Sequence, residues 1–344
     1  MVRIKDIAEH CHRSTATVSK ALHDSPELSP QTIEKIKRCA KKMGYVPNAY
    51  AQALKLKRSY SIGIVFYDST TKGGLRHEFF SGILESLKFT AEENGYAITF
   101  LSRNKPNSPR PRTYYEAAQF RNRDGVIIVS ENFEDPEIVE LVHSNIPVIT
   151  IDYIFPGTTA IRSDNLSGTG KLVDYAASLG HKTIAYIHGE RTDVTKKRRQ
   201  SYTEARERNH LPILPGRIKQ AEYHDPKSSG RETKRLLALG EKPTCILYPD
   251  DVSILGGLTA LKEAGLEIPE DVSVIGYDGA EISRINRPMV TTWVQDSEEL
   301  GSKAAEELID EIEHPDTYVS KIVKVSGKLQ PGATIKAIEN KTDD

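Results

Sequence analysis

Residues 14–22 read STATVSKAL, in which four hydroxyl side chains stand beside one lysine. Serine and threonine are middling helix formers in a helix interior, so this stretch is not built for its own stability. It offers chemistry instead: hydroxyls that donate and accept, an alanine methyl and an ammonium, on side chains small enough for close approach to a surface. A second set lies far downstream. Asp152, Asp250 and Asp278 stand at or just after the ends of the apolar runs VITID, TCILYP and SVIGYD, where carboxylates can accept hydrogen bonds from ligand hydroxyls. Arg199 lies near the start of a helical segment that follows another such run.

The first set needs a scaffold, and the flanking residues supply one. Ile4, Ile7 and Ala8 recur at helical spacing, HCHR follows as a turn, and a second helix carries Val18, Ala21 and Leu22 with Ser14 as its N-cap. A third helix starts at the Ser29 cap, takes Pro30 in its first turn, stripes Ile33, Ile36, Ala40 and Met43 along one face, and ends at Gly44. Three short helices close a small core, and the first two form a helix-turn-helix. With Val18, Ala21 and Leu22 inward, Thr15, Ala16, Ser19 and Lys20 face out, on the part that enters a major groove in such motifs and meets base edges and phosphates. Residues 1–58 carry a net charge of +7 against −8 for the remainder, a basic head on a mildly acidic body.

At this point the stretches IKDIAEHCHRSTATVSKAL and SPQTIEKIKRCAKKMGYVPNAYAQAL resemble the DNA-binding head of the lactose-repressor/galactose-repressor (LacI/GalR) family of bacterial transcription regulators. The resemblance implies that Thr15, Ala16 and Lys20 read operator bases and that Ser14, Thr17 and Ser19 hold the phosphate backbone. It implies a hinge helix over 48–55, with Asn48 and Ala51 among its DNA contacts and Leu54 at the position of the leucine that wedges into the minor groove. The turn departs from the family pattern: Cys11, His12 and Arg13 stand where a small residue, a glycine and an aliphatic residue are usual. His12 gives up the easy positive φ of glycine, and Arg13 adds a candidate phosphate contact. His10, Cys11 and His12 are adjacent and cannot share one helical face, so no metal site is read there.

The body has its own pattern. Apolar runs at 62–67, 97–102, 125–130, 148–152, 183–188, 244–249 and 273–278 alternate with helical segments at 79–94, 135–144, 166–179, 196–209, 228–239 and 252–264. Such alternation means an α/β fold of doubly wound parallel sheets. The strands are too many for one sheet, so two similar lobes are expected, with a ligand at the carboxyl ends of the strands in the crevice between them. The family resemblance continues through SVIGYDGAEI and RPMVTTWVQD and implies lobes of periplasmic-binding-protein type. It also implies effector contacts at Arg199, Asp250, Asp278 and Gln295, with Phe80 and Asp152 beside them. On the residues alone, each aspartate also has a reading as a helix cap, strongest for Asp250 and weakest for Asp278, and Arg199 one as part of the KKRR charge run on a solvated face. The expected organisation is a head over 1–46, a hinge and linker over 47–59, an effector-binding and dimerisation domain over 60–334 and a short polar tail over 335–344.

Composition excludes several classes. Cys11, Cys39 and Cys245 are scattered and form no CxxC pair, which argues against a disulfide framework and a zinc site and for a reducing compartment. The N-terminus lacks an apolar signal core, and no stretch approaches the roughly 18 apolar residues of a membrane span, so a cytoplasmic protein is expected. SGTGKL fails as a phosphate-binding loop because Asn165 and Leu172 stand where glycine and a hydroxyl residue are required; an Asp164 or Asn165 cap explains that helix start instead. No GxSxG, HExxH or activated nucleophile is present, so neither an enzyme nor a cofactor is expected. The reading is a repressor that binds a pseudo-palindromic DNA operator as a homodimer and answers to a sugar or sugar derivative. A solute-binding protein without a DNA role and a sugar-processing enzyme are the alternatives. The short polar C-terminus carries no leucine heptad, which favours a dimer over a tetramer.

Overall fold

The computed structural model describes residues 2–46, 58–66, 74–102, 112–212 and 215–338. The chain divides into two compact units, Met1–Ser59 and Tyr60–Asp344.

In the first unit α1 (Ile4–His10), α2 (Thr15–Leu22) and α3 (Pro30–Lys42) bury Ile7, Ala8, Val18, Ala21, Ile36 and Ala40 among themselves. Ser14 Oγ accepts from the Thr17 N–H at 3.0 Å, and Ser29 Oγ accepts from the Thr32 N–H at 3.3 Å. Each such cap contributes about 1 kcal/mol. The turn between α1 and α2 holds His12 at φ 51°, and the Arg13 N–H donates to the Ala8 carbonyl at 2.9 Å. A histidine thus occupies the left-handed conformation that glycine adopts freely, at a cost of about 1 kcal/mol. The hinge expected over 48–55, with Asn48, Ala51 and Leu54, lies outside the described residues.

The second unit contains two six-stranded sheets. The first comprises β1 (Ser61–Phe66), β2 (Ala97–Phe100), β3 (Gly125–Ser130), β4 (Val148–Ile151), β5 (Thr159–Ser163) and β11 (Ile322–Val325), all parallel, in the order β11-β5-β4-β3-β1-β2. The second comprises β6 (Ile184–His188), β7 (Ile218–Gln220), β8 (Cys245–Leu247), β9 (Ser273–Asp278), β10 (Thr291–Val294) and β12 (Lys328–Gln330), in the order β12-β10-β9-β8-β6-β7. In it β12 runs antiparallel to β10 and the other pairings are parallel.

Helices cover both faces of each sheet. The first sheet packs α4 (Glu78–Glu93) and α12 (Ser297–Glu313) on one side, and α5 (Tyr114–Phe120) and α6 (Pro136–Val142) on the other. The second packs α7 (Gly168–Ser178) and α8 (Asp193–Arg208) on one side, and α9 (Pro226–Leu237) and α10 (Ile254–Glu263) on the other, and the short α11 (Glu281–Ile285) follows β9. This coverage explains why β3, GVIIVS, is buried at every position but its last: strands of doubly covered parallel sheets are apolar on both faces.

The chain passes between the lobes after β5, after β10 and after β11. All seven apolar runs are strands, whereas the apolar-run pattern passes over five others, β5 (TAIRS), β7 (IKQ), β10, β11 and β12. The expected tail boundary shifts: Ile335 is buried in the core of the second lobe and the Ile338 N–H donates to the Leu179 carbonyl at 2.7 Å, so residues 335–338 are part of the body. Among the described residues no helix is long and apolar enough to cross a membrane.

Candidate functional site

The first candidate surface is α2. Val18 and Ala21 turn into the head core, which leaves Thr15, Ala16 and Lys20 exposed along one side of the helix, with Thr17 and Ser19 half-buried. The Ser14 and Thr17 hydroxyls share a 2.8 Å hydrogen bond that fixes the first turn. The Lys20 ammonium is paired with Glu27 at the surface. Exposed pairs of this kind contribute at most about 1 kcal/mol, so Lys20 exchanges this partner for a phosphate or a base edge at little cost.

The second is the crevice between the two lobes, a cavity of about 920 Å³ whose lining includes His77 and Phe79 from the first lobe and His224, Asp278 and Gln295 from the second. Asp278 closes β9 at φ 104°, a strained conformation that aims its side chain off the strand end. Its Oδ1 accepts from the Gln295 side-chain amide at 2.7 Å and lies 3.9 Å from the Arg198 guanidinium. Burial pushes the Asp278 carboxyl above its ordinary range, against the pull of Arg198 and His224.

Arg198 is buried, and its guanidinium is held on one face, at Nε and at Nη1. It lies over the Tyr277 ring at 3.7 Å from the centroid, donates from Nε to Asn165 Oδ1 at 3.0 Å, and donates from Nη1 to the Pro249 carbonyl at 3.2 Å. The neighbouring Arg199 is exposed on the outer face of α8. The arginine of this site is therefore Arg198, one residue before the one expected from the sequence. The buried positions of α8 include Thr195, Arg198, Ser201, Tyr202 and Ala205, and only Arg198 of the KKRR run falls on that stripe.

Asp250 also departs from expectation. Its Oδ1 accepts from Val252 N–H at 3.1 Å and Ser253 N–H at 2.7 Å, and its Oδ2 accepts from His224 N–H at 3.0 Å and the Ser253 hydroxyl at 2.8 Å. Fully buried, it fastens the turn before α10 and reaches the cavity only through His224. Sequence reasoning passed over its neighbour Asp251, which accepts from the Gly279 and Ala280 N–H groups at 2.8 Å each and from the Thr292 hydroxyl at 2.7 Å. Burial and the nearby Asp278 push the Asp251 carboxyl well above its ordinary range.

The first-lobe candidates are placed less directly. Asp152, at φ 59°, accepts from the Ser163 N–H at 2.7 Å and hydroxyl at 3.0 Å, tying the end of β4 to the end of β5. Phe80 packs against Phe66 and the first-lobe core, and Phe79 is the phenylalanine that lines the cavity. Asn165 does not cap α7: that helix begins at Gly168 after Ser167, which makes no side-chain cap bond, and the Asn165 oxygen serves Arg198.

Comparison with known proteins assigns both parts. Residues 3–48 match bacterial regulatory proteins of the lacI family, and residues 173–335 match a periplasmic binding protein-like domain. The probable HTH-type transcriptional repressor ExuR of Bacillus subtilis (strain 168) is 30% identical over 330 residues, covering 94% of this chain and 96% of its own. The chain belongs to the LacI family. The HTH-type transcriptional repressor PurR of Mannheimia succiniciproducens is 29% identical over 320 residues, 92% of this chain and 93% of its own. Among solved structures, a lac repressor dimer bound to operator and the anti-inducer ONPF matches with a TM-score of 0.81 at 25% identity, covering 98% of this chain and 99% of that one. As a LacI-family regulator, the chain presents α2 and the crevice as candidate surfaces for DNA and for a ligand.

Proposed function

We propose that this LacI-family chain is a cytoplasmic repressor that binds a pseudo-palindromic operator as a homodimer and is controlled by a polyhydroxylated small molecule, a sugar or sugar derivative, held in the crevice. The convergence of Arg198, Asp278 and Gln295 at the ends of β9 and β10 carries the reading. A charged donor, a carboxylate acceptor and an amide that does both suit a ligand with several hydroxyls, and such a site rejects analogues that leave a buried group unpaired. Relatives named as transcriptional repressors, and a lac repressor dimer solved on operator, support the DNA-binding half.

In this mechanism α2 lies in the major groove, where Thr15, Ala16 and Lys20 read base edges while Ser14, Thr17, Ser19 and Arg13 hold phosphates. Two heads grip a palindrome only at fixed spacing. A hinge of about eight residues is marginal as an isolated helix and folds when paired on DNA, where Leu54 enters the minor groove. Gln295 sits at the crossing that follows β10, so a ligand held by Arg198, Asp278 and Gln295 of the second lobe that also engages Phe79 of the first shifts one lobe against the other and changes head spacing. By linkage, operator and ligand change each other's affinity by the same factor.

The test uses the only tryptophan, Trp293, which is buried on β10 two residues before Gln295. Its emission and the melting temperature are followed while the protein is titrated with free sugars, sugar acids, sugar phosphates, nucleosides and nucleobases. Saturable change with one polyhydroxylated compound supports the reading; a response to nucleobases alone, or to nothing, contradicts it.

A further inference from the structure

His77 and His224 come from opposite lobes and meet in the crevice. Their Nε2 atoms are 2.6 Å apart and their rings stand edge to face, with centroids 3.9 Å apart and planes at 82°. A carboxylate oxygen of Asp278 completes a cluster whose three ligand atoms all lie within 4.8 Å of one another. His77 precedes the first turn of α4 and His224 follows β7 at φ 52°, so the rings are brought together by the closure of the lobes and not by neighbouring chain.

Two features suit this cluster to a cation. First, His224 Nδ1 lies 3.3 Å from Asp250 Oδ1, and Asp250 is itself locked by Ser253 and the His224 backbone. A carboxylate only accepts, so Nδ1 carries the hydrogen and Nε2 is the atom turned into the crevice. An acidic partner on the far nitrogen is how metal-binding histidines are usually oriented. Second, His77 Nδ1 is buried and without a partner among the described residues, so the Nε2 contact with His224 is the ring's one polar anchor there.

We propose that His77 Nε2, His224 Nε2 and the Asp278 carboxylate bind a divalent transition metal, Zn²⁺ before others, which bridges the lobes and leaves its fourth position to water or to an oxygen of the molecule in the crevice. Two imidazoles and one carboxylate with an open position form a donor set that zinc accepts. A tetrahedral ion about 2.0–2.1 Å from each nitrogen sets the nitrogens about 3.3 Å apart, so the rings part by about 0.7 Å on loading. Arg198, 3.9 Å from Asp278, opposes the cation, while the Asp250 charge behind His224 offsets it. The site follows from the cluster alone, whichever small molecule fills the rest of the crevice.

The full-length protein, stripped with a chelator, is titrated with Zn²⁺ by calorimetry and with Co²⁺ by visible absorption. One equivalent per chain is expected, lost in His77→Ala and in His224→Ala, and kept when His10 and His12 in the head are both changed to alanine. Metal-free melting curves verify that each variant is folded. X-ray absorption of the loaded wild-type protein needs no variant, and two imidazoles with oxygen ligands are expected. Absence of stoichiometric binding, retention in either crevice variant, or sulfur in the first coordination shell overturns the proposal, sulfur because Cys11 and Cys39 lie side by side in the head.

Discussion

Arg198 lies over the ring of Tyr277, its guanidinium carbon 3.7 Å from the ring centroid, on the side of the crevice where Asp278 ends β9. The stacking leaves the guanidinium edge near Asp278 available, and Asn165 and Pro249 prevent the side chain from swinging out. A buried, fixed cation of this kind is suited to recognition, because rotamer freedom is already lost before a ligand arrives.

Arg198→Ala is expected to weaken binding of the effector found by the Trp293 titration about 10- to 100-fold, the worth of a lost charged hydrogen bond in a buried site. Arg199→Ala, on the exposed face of the same helix, is expected to leave the titration curve unchanged. Equal loss in the two variants would restore Arg199 to the site.

Gly256 marks a close crossing of α9 and α10. A Cβ there would overlap the Pro226 carbonyl oxygen and come within 2.9 Å of the Gly230 nitrogen, both backbone atoms that cannot rotate away. Gly256→Ala is expected to cost about 3 kcal/mol or more in urea unfolding of the body, or to prevent its folding. Gly265→Ala, in open space but at φ +70°, is expected to cost about 1–2 kcal/mol, for backbone strain alone.

His12 is expected to be replaceable with profit to the head. His12→Gly relieves the left-handed strain at φ 51° and should raise head stability by about 1 kcal/mol, read as a higher melting temperature of the head transition. A drop would mean that the exposed imidazole makes a contact worth more than the strain.

Glu311 on α12 has a carboxylate oxygen that is buried without a partner among the described residues, and burial pushes its pKa up to about 7 from an ordinary 4.5. The folded state therefore holds its proton longer than the unfolded chain does. Its contribution favours the folded state at pH 4 and is lost as pH rises through 4.5 to 7. Glu311→Gln is expected to match wild type near pH 4 and to exceed it at pH 8 by on the order of 1–3 kcal/mol in urea unfolding. A difference that does not change with pH would contradict the assignment.

The legibility of this chain varies with the range of the interaction. The head was readable residue by residue, since Ser14, Ser29, Pro30 and the apolar stripe on α3 act within a few positions of themselves. Seven of the twelve strands are readable as apolar runs, the partly exposed edge strand β2 among them. TAIRS and IKQ were not, because β5 lies second from an edge with Arg162 on it, and β7 is a three-residue edge strand with lysine at its centre. In the crevice Asp278 is legible at a strand end and Gln295 only through the family resemblance, whereas choosing Arg198 over Arg199 requires the phase of α8. That phase was available from Tyr202 and Ala205, both buried. Whether Asp250 meets a ligand or a turn depends on Ser253 and His224, one near and one 26 positions away. The His77–His224 contact spans 147 positions and has no local signature at all.

Operator binding is the central claim, and the most direct measurement selects duplexes from a random pool with the full-length protein, then follows the affinity of the selected site against salt. Enrichment of one pseudo-palindrome is expected, with log K falling against log salt at a slope of about −6 or steeper, as several phosphates are neutralised per dimer. Thr15→Ala and Lys20→Ala should each relax the base preference at one position of each half-site, at about 1–3 kcal/mol. No enrichment, or a slope near zero, would contradict the assignment of α2 as a helix that reads DNA.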